Sequence, residues 1–208
     1  LEGGQEHYVT VPETGGKSLI PEGELSPGTL HVIARNRESG MKGLFRLDVQ
    51  RMAGNGKISD TGFGGGTGIR DELKEAINYL RSNLSRITQS AKFTDFEYHI
   101  KATDSNGINS PAGLELGIFL AITSAITGRS TVPQLAVLGS MSIGGTIIGS
   151  NNLGEYMQAA ADSGAKRVML PASDMAQLGK VPGDLLTKFS LIPYSDPVDA
   201  AFKAMGLG

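Results

Sequence analysis

The spacing of hydrophobic positions along the chain predicts both strands and helices. Hydrophobic and polar residues alternate over 43–50 and 96–102, which is the pattern of a strand with one buried face. Over 69–87 the hydrophobic residues recur every three or four positions, which is typical of an amphipathic helix. Residues 112–128 are apolar nearly all round, with Glu115 the only charge, so we expect a helix buried in the core.

Shorter patterns predict the remaining elements. They indicate strands at 29–34, 57–61 and 166–171, two strands around a glycine-rich turn within 134–149, a helix at 153–164, and a helix at 173–179, a strand at 184–194 and a final helix at 196–205. This order mixes hairpins with crossovers and predicts an α/β (α+β) domain with a mixed sheet and packed helices. Gly, Pro and polar residues dominate 1–28, which we interpret as an irregular arm or linker ahead of a domain at 29–208.

Composition excludes several kinds of chemistry. The chain has 208 residues with 29 Gly and no Cys, so it has no disulfide, Cys-ligated zinc, thiol nucleophile or iron–sulfur site. A net charge of −2 gives no electrostatic case for direct nucleic-acid binding. No apolar stretch approaches the roughly 20 residues of a membrane span, and residues 1–16 do not resemble a signal peptide. We therefore expect a cytoplasmic protein without membrane contact and, because the chain begins at Leu1, a fragment of a longer one.

Two candidate ligand sites have weak support. The segment GFGGGTG (62–68) precedes a helix, as phosphate-binding loops do, but it fits neither the dinucleotide fingerprint nor the P-loop. A flexible strand-to-helix turn is the simpler interpretation, and an anion-binding module stays open as the weaker alternative. His7, His31 and His99 have no metal-ligand spacing, so we expect structural or surface roles, no metal and no cofactor in this chain.

A sharper candidate lies where a polar loop leads into the buried helix. Pro111 suits a first helical turn, and Ser110 suits an N-cap whose hydroxyl accepts from backbone N–H groups. The functional alternative for Ser110 is a nucleophile held at a helix N-terminus.

From about Gly28 to Gly208 the chain resembles the proteolytic domain of Lon proteases. The similar segments are GNGKISDTGFG (54–64), DELKEAINYLRS (71–82), INSPAG (108–113), LGSMS (138–142), NNLGEYMQAA (151–160) and AKRVMLP (165–171). The resemblance implies the Lon proteolytic fold and, in active members, a Ser–Lys dyad in which a lysine of lowered pKa activates the serine.

Neither member of that dyad is present. By the resemblance, the serine position holds Pro111 and the lysine position holds Gly154, and their separation matches the family's without a gap. Ser140 stands where the family has an acidic residue. No lysine occurs between Lys101 and Lys166, so a replacement base for a displaced nucleophile at Ser110 would have to come from either end of that interval. The first interpretation is a pseudo-peptidase, an assembly or substrate-docking module; the alternative is a serine peptidase rearranged around Ser110.

The ending of the chain, 181–207, most resembles the Lon-like proteins of BREX phage-defence systems. In those proteins an AAA+ ATPase module precedes the Lon-like domain, and the whole assembles into a DNA-associated ring. The resemblance implies a homo-oligomer, partnership with an upstream ATPase module, and a protein or DNA target reached through the full-length protein. The chain has no Walker motif, so ATP and Mg²⁺ are expected only in that other module.

Overall fold

The fold is a mixed sheet with helices on both faces. A computed structural model describes residues 18–62 and 67–208, and only the backbone of 67–69. The strands of the main sheet are β1 (Thr29–Asn36), β2 (Lys42–Ala53), β3 (Ile58–Thr61), β4 (Phe96–Asp104), β5 (Pro111–Ala112), β6 (Leu135–Val137), β9 (Arg167–Pro171) and β10 (Ser190–Tyr194). A separate hairpin is formed by β7 (Ser140–Met141) and β8 (Ile147–Ile148).

The strand order is β10-β9-β6-β1-β2-β4-β3, with β5 added to the end of β1. Neighbours β1–β2 and β2–β4 are antiparallel, whereas β3–β4, β1–β6, β6–β9 and β9–β10 are parallel. The predicted mixed sheet is therefore confirmed.

In the described part of the chain, five α-helices cover the sheet: α1 (Thr67–Asn83), α2 (Glu115–Thr127), α3 (Leu153–Asp162), α4 (Gly183–Leu186) and α5 (Pro197–Ala204). One core lies between the sheet and α1, α2 and α5; in α2 every residue from Leu116 to Ile126 is buried. The second core lies on the other face, under α3 and α4, and includes Leu153, Met157 and Leu185. The strands at the centre of the main sheet therefore bury apolar side chains on both faces.

The segment ahead of β1 contributes to this second core. Residues 18–28 form no helix or strand, as expected of an irregular segment. Ile20, however, is completely buried in the second core, and its N–H donates to the Ser163 carbonyl at 3.0 Å. Packing therefore begins inside the segment that composition marks as an arm.

The predicted start of the buried helix is wrong. We expected helix from residue 112 with Ser110 as its N-cap and Pro111 in its first turn, but α2 begins at Glu115 with Leu114 as N-cap. Pro111 instead belongs to β5, where Asn36↔Pro111 and Arg35↔Ala112 pair antiparallel with β1. The physical reason is a long-range contact: residues 111–112, which local chemistry favours as the start of the helix, pair with β1 instead.

Smaller differences occur near the C-terminus. The helix expected at 173–179 is a 3-10 helix, Ala172–Lys180. The first residues of the strand expected at 184–194 form α4, and the strand itself is Ser190–Tyr194. No helix in the described part of the chain is long and apolar enough to cross a membrane.

Candidate functional site

The serine position of the Lon resemblance lies in β5. Pro111 is buried and, as a proline, has neither a hydroxyl nor a backbone N–H to offer a substrate. The two residues before it, Asn109 and Ser110, have φ of 58° and 37°, in the left-handed region that few non-glycine residues adopt. The turn is nevertheless well held, because Asn36 Nδ2 donates to the carbonyls of Ile108 (2.8 Å) and Asn109 (3.1 Å).

The displaced nucleophile candidate, Ser110, is exposed on this turn. Its carbonyl accepts from the Arg37 N–H at 3.0 Å. Among the described residues none forms a hydrogen bond with its hydroxyl.

The lysine position, Gly154, is the second residue of α3. A Cβ placed there would meet no atom within 4 Å. Space for a side chain is therefore present at this position.

A cavity of about 320 Å³ lies beside these positions. Its walls come from the ends of β1 and β2, the turn after β5, the β7–β8 hairpin and the start of α3. The lining residues are Ile33, Arg35, Gly40, Lys42, Ala112, Gly113, Gly139, Ser140, Ile148, Gly149, Ser150, Asn151, Asn152 and Tyr156. Pro111, Gly154 and Ser110 are not among them, but Ala112, which follows Pro111, and Asn152 and Tyr156, two residues to either side of Gly154, are.

Two basic side chains line this cavity, Arg35 and Lys42, and sequence reasoning missed both. Lys42 is the better buried of the two. Its Nζ lies 2.9 Å from Glu155 Oε2 and 5.3 Å from the ring centroid of Tyr156, and the Lys42 side chain is only 10% exposed. Lys101 lines a different cavity with His99 and Arg46, and Lys166 is exposed ahead of β9. Lys42 directly precedes the strand predicted at 43–50, and nothing in that position signals a place in a cavity.

Carboxylates behind the turn hold its backbone. Glu72 of α1 accepts from Arg37 and from the N–H groups of Gly113 (3.2 Å) and Leu114 (3.3 Å). The pKa of Glu72 is raised, because the effect of burial outweighs the lowering by Arg37 and by these N–H groups. Burial raises the pKa of Glu115 to about 7, and the charge of Glu72 adds to the effect. Glu115 Oε2 is buried and has no hydrogen-bond partner within the described residues.

The floor of the cavity is held by another buried carboxylate. Asp174 accepts from the Ser150 N–H at 2.9 Å and from Gln177 Nε2 at 3.3 Å. Burial raises the pKa of Asp174. Tyr194 donates to the Leu138 carbonyl at 2.6 Å and so fixes the strand that leads to Gly139 and Ser140. Ser140, at the family's acidic position, lines the cavity.

The remaining candidates do not converge on this site. His31 is buried in β1, whereas His99 in β4 contacts the hydroxyls of Ser59 (2.8 Å) and Thr61 (3.1 Å) in β3. His7 and most of the glycine-rich segment, residues 63–66, lie outside the described residues.

The family comparison agrees with this architecture. Residues 20–205 match the model of the Lon protease (S16) C-terminal proteolytic domain. The chain belongs to this family. The expected fold class and the resemblance to Lon proteases are therefore confirmed, with the match beginning at the buried Ile20.

Individual relatives point to one branch of the family. The chain is 41% identical over 203 residues to the Lon-like protease BrxL of Escherichia coli O9:H4 (strain HS), covering 98% of this chain and 29% of that protein. It is 34% identical over 202 residues to the Lon-like protease BrxL of Bacillus cereus (strain H3081.97), covering 97% and 30%. Identity to the Lon protease of Methanosarcina barkeri (strain Fusaro / DSM 804) is 28%, covering 88% and 23%. The chain thus spans less than a third of the length of these relatives.

Proposed function

We propose that this Lon-like domain is a non-catalytic docking and assembly module of a larger ATP-dependent protein. The single observation that carries this is the buried Pro111 in β5, at the position where a Lon protease has its nucleophile. Gly154 adds a second loss, since no amine stands at the position of the base. When members of a catalytic unit are removed, most of the rate goes with them.

The alternative, a peptidase rearranged around Ser110, has weaker support. Its hydroxyl is exposed and outside the set of cavity-lining residues, and the lysine that does line the cavity is engaged with Glu155. The geometry therefore supports binding better than acyl transfer.

The proposed parent protein is suggested by the comparisons. Both BrxL proteins are more than three times as long as the matched segment, which leaves room for the AAA+ module implied by the resemblance. We expect ATP and Mg²⁺ to act there, the oligomer to be a ring, and the target to be protein or DNA reached through the full-length cytoplasmic protein. A role in phage defence follows from the same likeness.

Peptide hydrolysis tests the proposal directly. Purified protein incubated with unfolded casein or fluorogenic peptides, with and without ATP, should show no cleavage above background. Turnover that disappears in Ser110→Ala but persists in Ser85→Ala, a matched change at another exposed serine, would establish the rearranged peptidase instead.

Assembly is tested separately by light scattering over a range of protein concentrations. We expect a mass above that of the monomer. A strictly monomeric mass at every concentration would show that this domain does not assemble by itself. The weaker anion-binding alternative at 62–68 would be supported by phosphate- or nucleotide-dependent stabilisation in a thermal shift assay.

A further inference from the structure

The cavity beside the vacant dyad positions brings two cations face to face. Arg35 of β1 and Lys42 of β2 are direct partners in the antiparallel register. Like charges opposite each other in a sheet destabilise it. Both side chains line the cavity, and none of the described residues that line it is Asp or Glu. This arrangement favours an anion between or beside them.

A carboxylate already demonstrates the fit. Glu155 reaches Lys42 Nζ at 2.9 Å from the first turn of α3. Its side chain is 64% exposed, whereas that of Lys42 is 10% exposed. In this pair the lysine is therefore fixed, partly by the ring of Tyr156, and the glutamate is the member that can swing into solvent.

The rest of the wall is suited to an oxyanion. α3 begins at the cavity with Asn152 as N-cap, and the Asn152 side chain forms no capping hydrogen bond. The partial positive charge of a helix N-terminus adds to that of Lys42. The buried Asp174 lies outside the lining set and is engaged with Ser150 and Gln177.

We propose that this cavity binds a carboxylate of an incoming polypeptide, in the first place its C-terminal carboxylate, which displaces Glu155 from Lys42. The choice of carboxylate follows from Glu155, which shows that group seated on Lys42. At about 320 Å³ the cavity lies at the small end of ligand sites, which suits a chain end. This inference rests on the proposed docking function and names its ligand: the position of the lost catalytic base is bordered by a fixed positive charge.

Peptide binding by fluorescence anisotropy tests the inference on the whole chain. The probe is an N-terminally fluorescein-labelled Ala-Leu-Ala-Leu-Ala with a free C-terminus; the comparison peptide is its C-terminal amide. We expect the amide to bind at least about tenfold more weakly. A third peptide, amidated but ending in Glu, distinguishes a side-chain carboxylate from the terminal one.

Three variants separate the parts of the inference. Lys42→Met should weaken binding of the free-acid peptide at least about tenfold, while Glu155→Gln, which removes the internal competitor, should tighten it several-fold. Lys188→Met, which makes the same charge change at an exposed lysine outside the cavity, should leave binding unchanged. Circular dichroism confirms that each variant is folded.

The outcomes are distinct. Equal binding of the acid and both amides, or unchanged binding in folded Lys42→Met, overturns the carboxylate site. Inorganic phosphate that competes better than acetate overturns the choice of carboxylate, and looser binding in Glu155→Gln overturns its displacement. None of these results bears on hydrolysis, whereas cleavage of the probe would refute the non-catalytic function and leave the site standing.

Discussion

Glu72 Oε1 accepts the backbone N–H of Gly113, so a carboxylate on α1 holds the turn that follows Pro111. The same oxygen binds Arg37, and Glu72 Oε2 accepts from Leu114. This side chain thus joins α1, the β1–β2 connection and the start of α2. These contacts fix the shape of the turn.

The neighbouring Glu115 should make stability depend on pH. Its folded pKa of about 7 lies above that of an unfolded glutamate, so the folded chain binds more protons between these values and the free energy of unfolding falls as pH rises through this range. Glu115→Gln should raise stability at pH 8 by roughly 1–2 kcal/mol, discounted for partial solvent screening, and by little at pH 5. Urea unfolding at both pH values measures this; an equal effect at both would contradict it.

His31 should produce the opposite trend at lower pH. Burial, helped by Arg46, lowers its pKa to about 4, and within the described chain neither ring nitrogen has a hydrogen-bond partner. In the unfolded chain the histidine takes up a proton near pH 6.5, whereas in the folded chain it stays neutral down to about pH 4. The free energy of unfolding is therefore highest above pH 6.5 and falls by up to roughly 3 kcal/mol as the pH drops to 4. His31→Leu should remove this fall. If the free energy of unfolding fell equally for the variant and the parent protein between pH 6.5 and 4, His31 would not be the cause.

Gly154 and Gly117 should respond oppositely to alanine. Both lie in helices, but a Cβ at Gly154 would meet nothing within 4 Å, whereas one at Gly117 would lie 2.5 Å from Val32 Cγ1. Gly154→Ala should stabilise the protein by about 0.5–1 kcal/mol, because alanine favours helix, and Gly117→Ala should destabilise it by about 1–3 kcal/mol through overpacking. Thermal unfolding distinguishes them. Destabilisation by Gly154→Ala would mean that glycine itself is needed there.

The fold was largely predictable because its main elements carry strong periodicity. The alternation over 43–50 and the three-to-four spacing over 69–87 correspond to β2 and α1, and the wholly apolar 112–128 contains the buried α2. These patterns act locally, and the packed core preserves the strand and helices that they favour. The dyad positions came only from resemblance, since nothing in local chemistry distinguishes Pro111 or Gly154.

The site was less predictable because sheet register decides it. The prediction of Ser110 as a helix N-cap is wrong because β5 pairs with β1, across more than 70 residues of sequence. Lys42 was missed for the same reason: it reaches Glu155 through the layering of α3 on β1 and β2, which no sequence spacing reveals.

The burial of Ile20 attaches the segment ahead of β1 to the second core. Because Ile20 packs in the core under α3 and its N–H donates to the Ser163 carbonyl just beyond that helix, the segment ahead of β1 is attached at the far end of α3. The near end of the same helix carries Gly154 and Glu155. One helix therefore connects the attachment of this segment with the wall of the cavity.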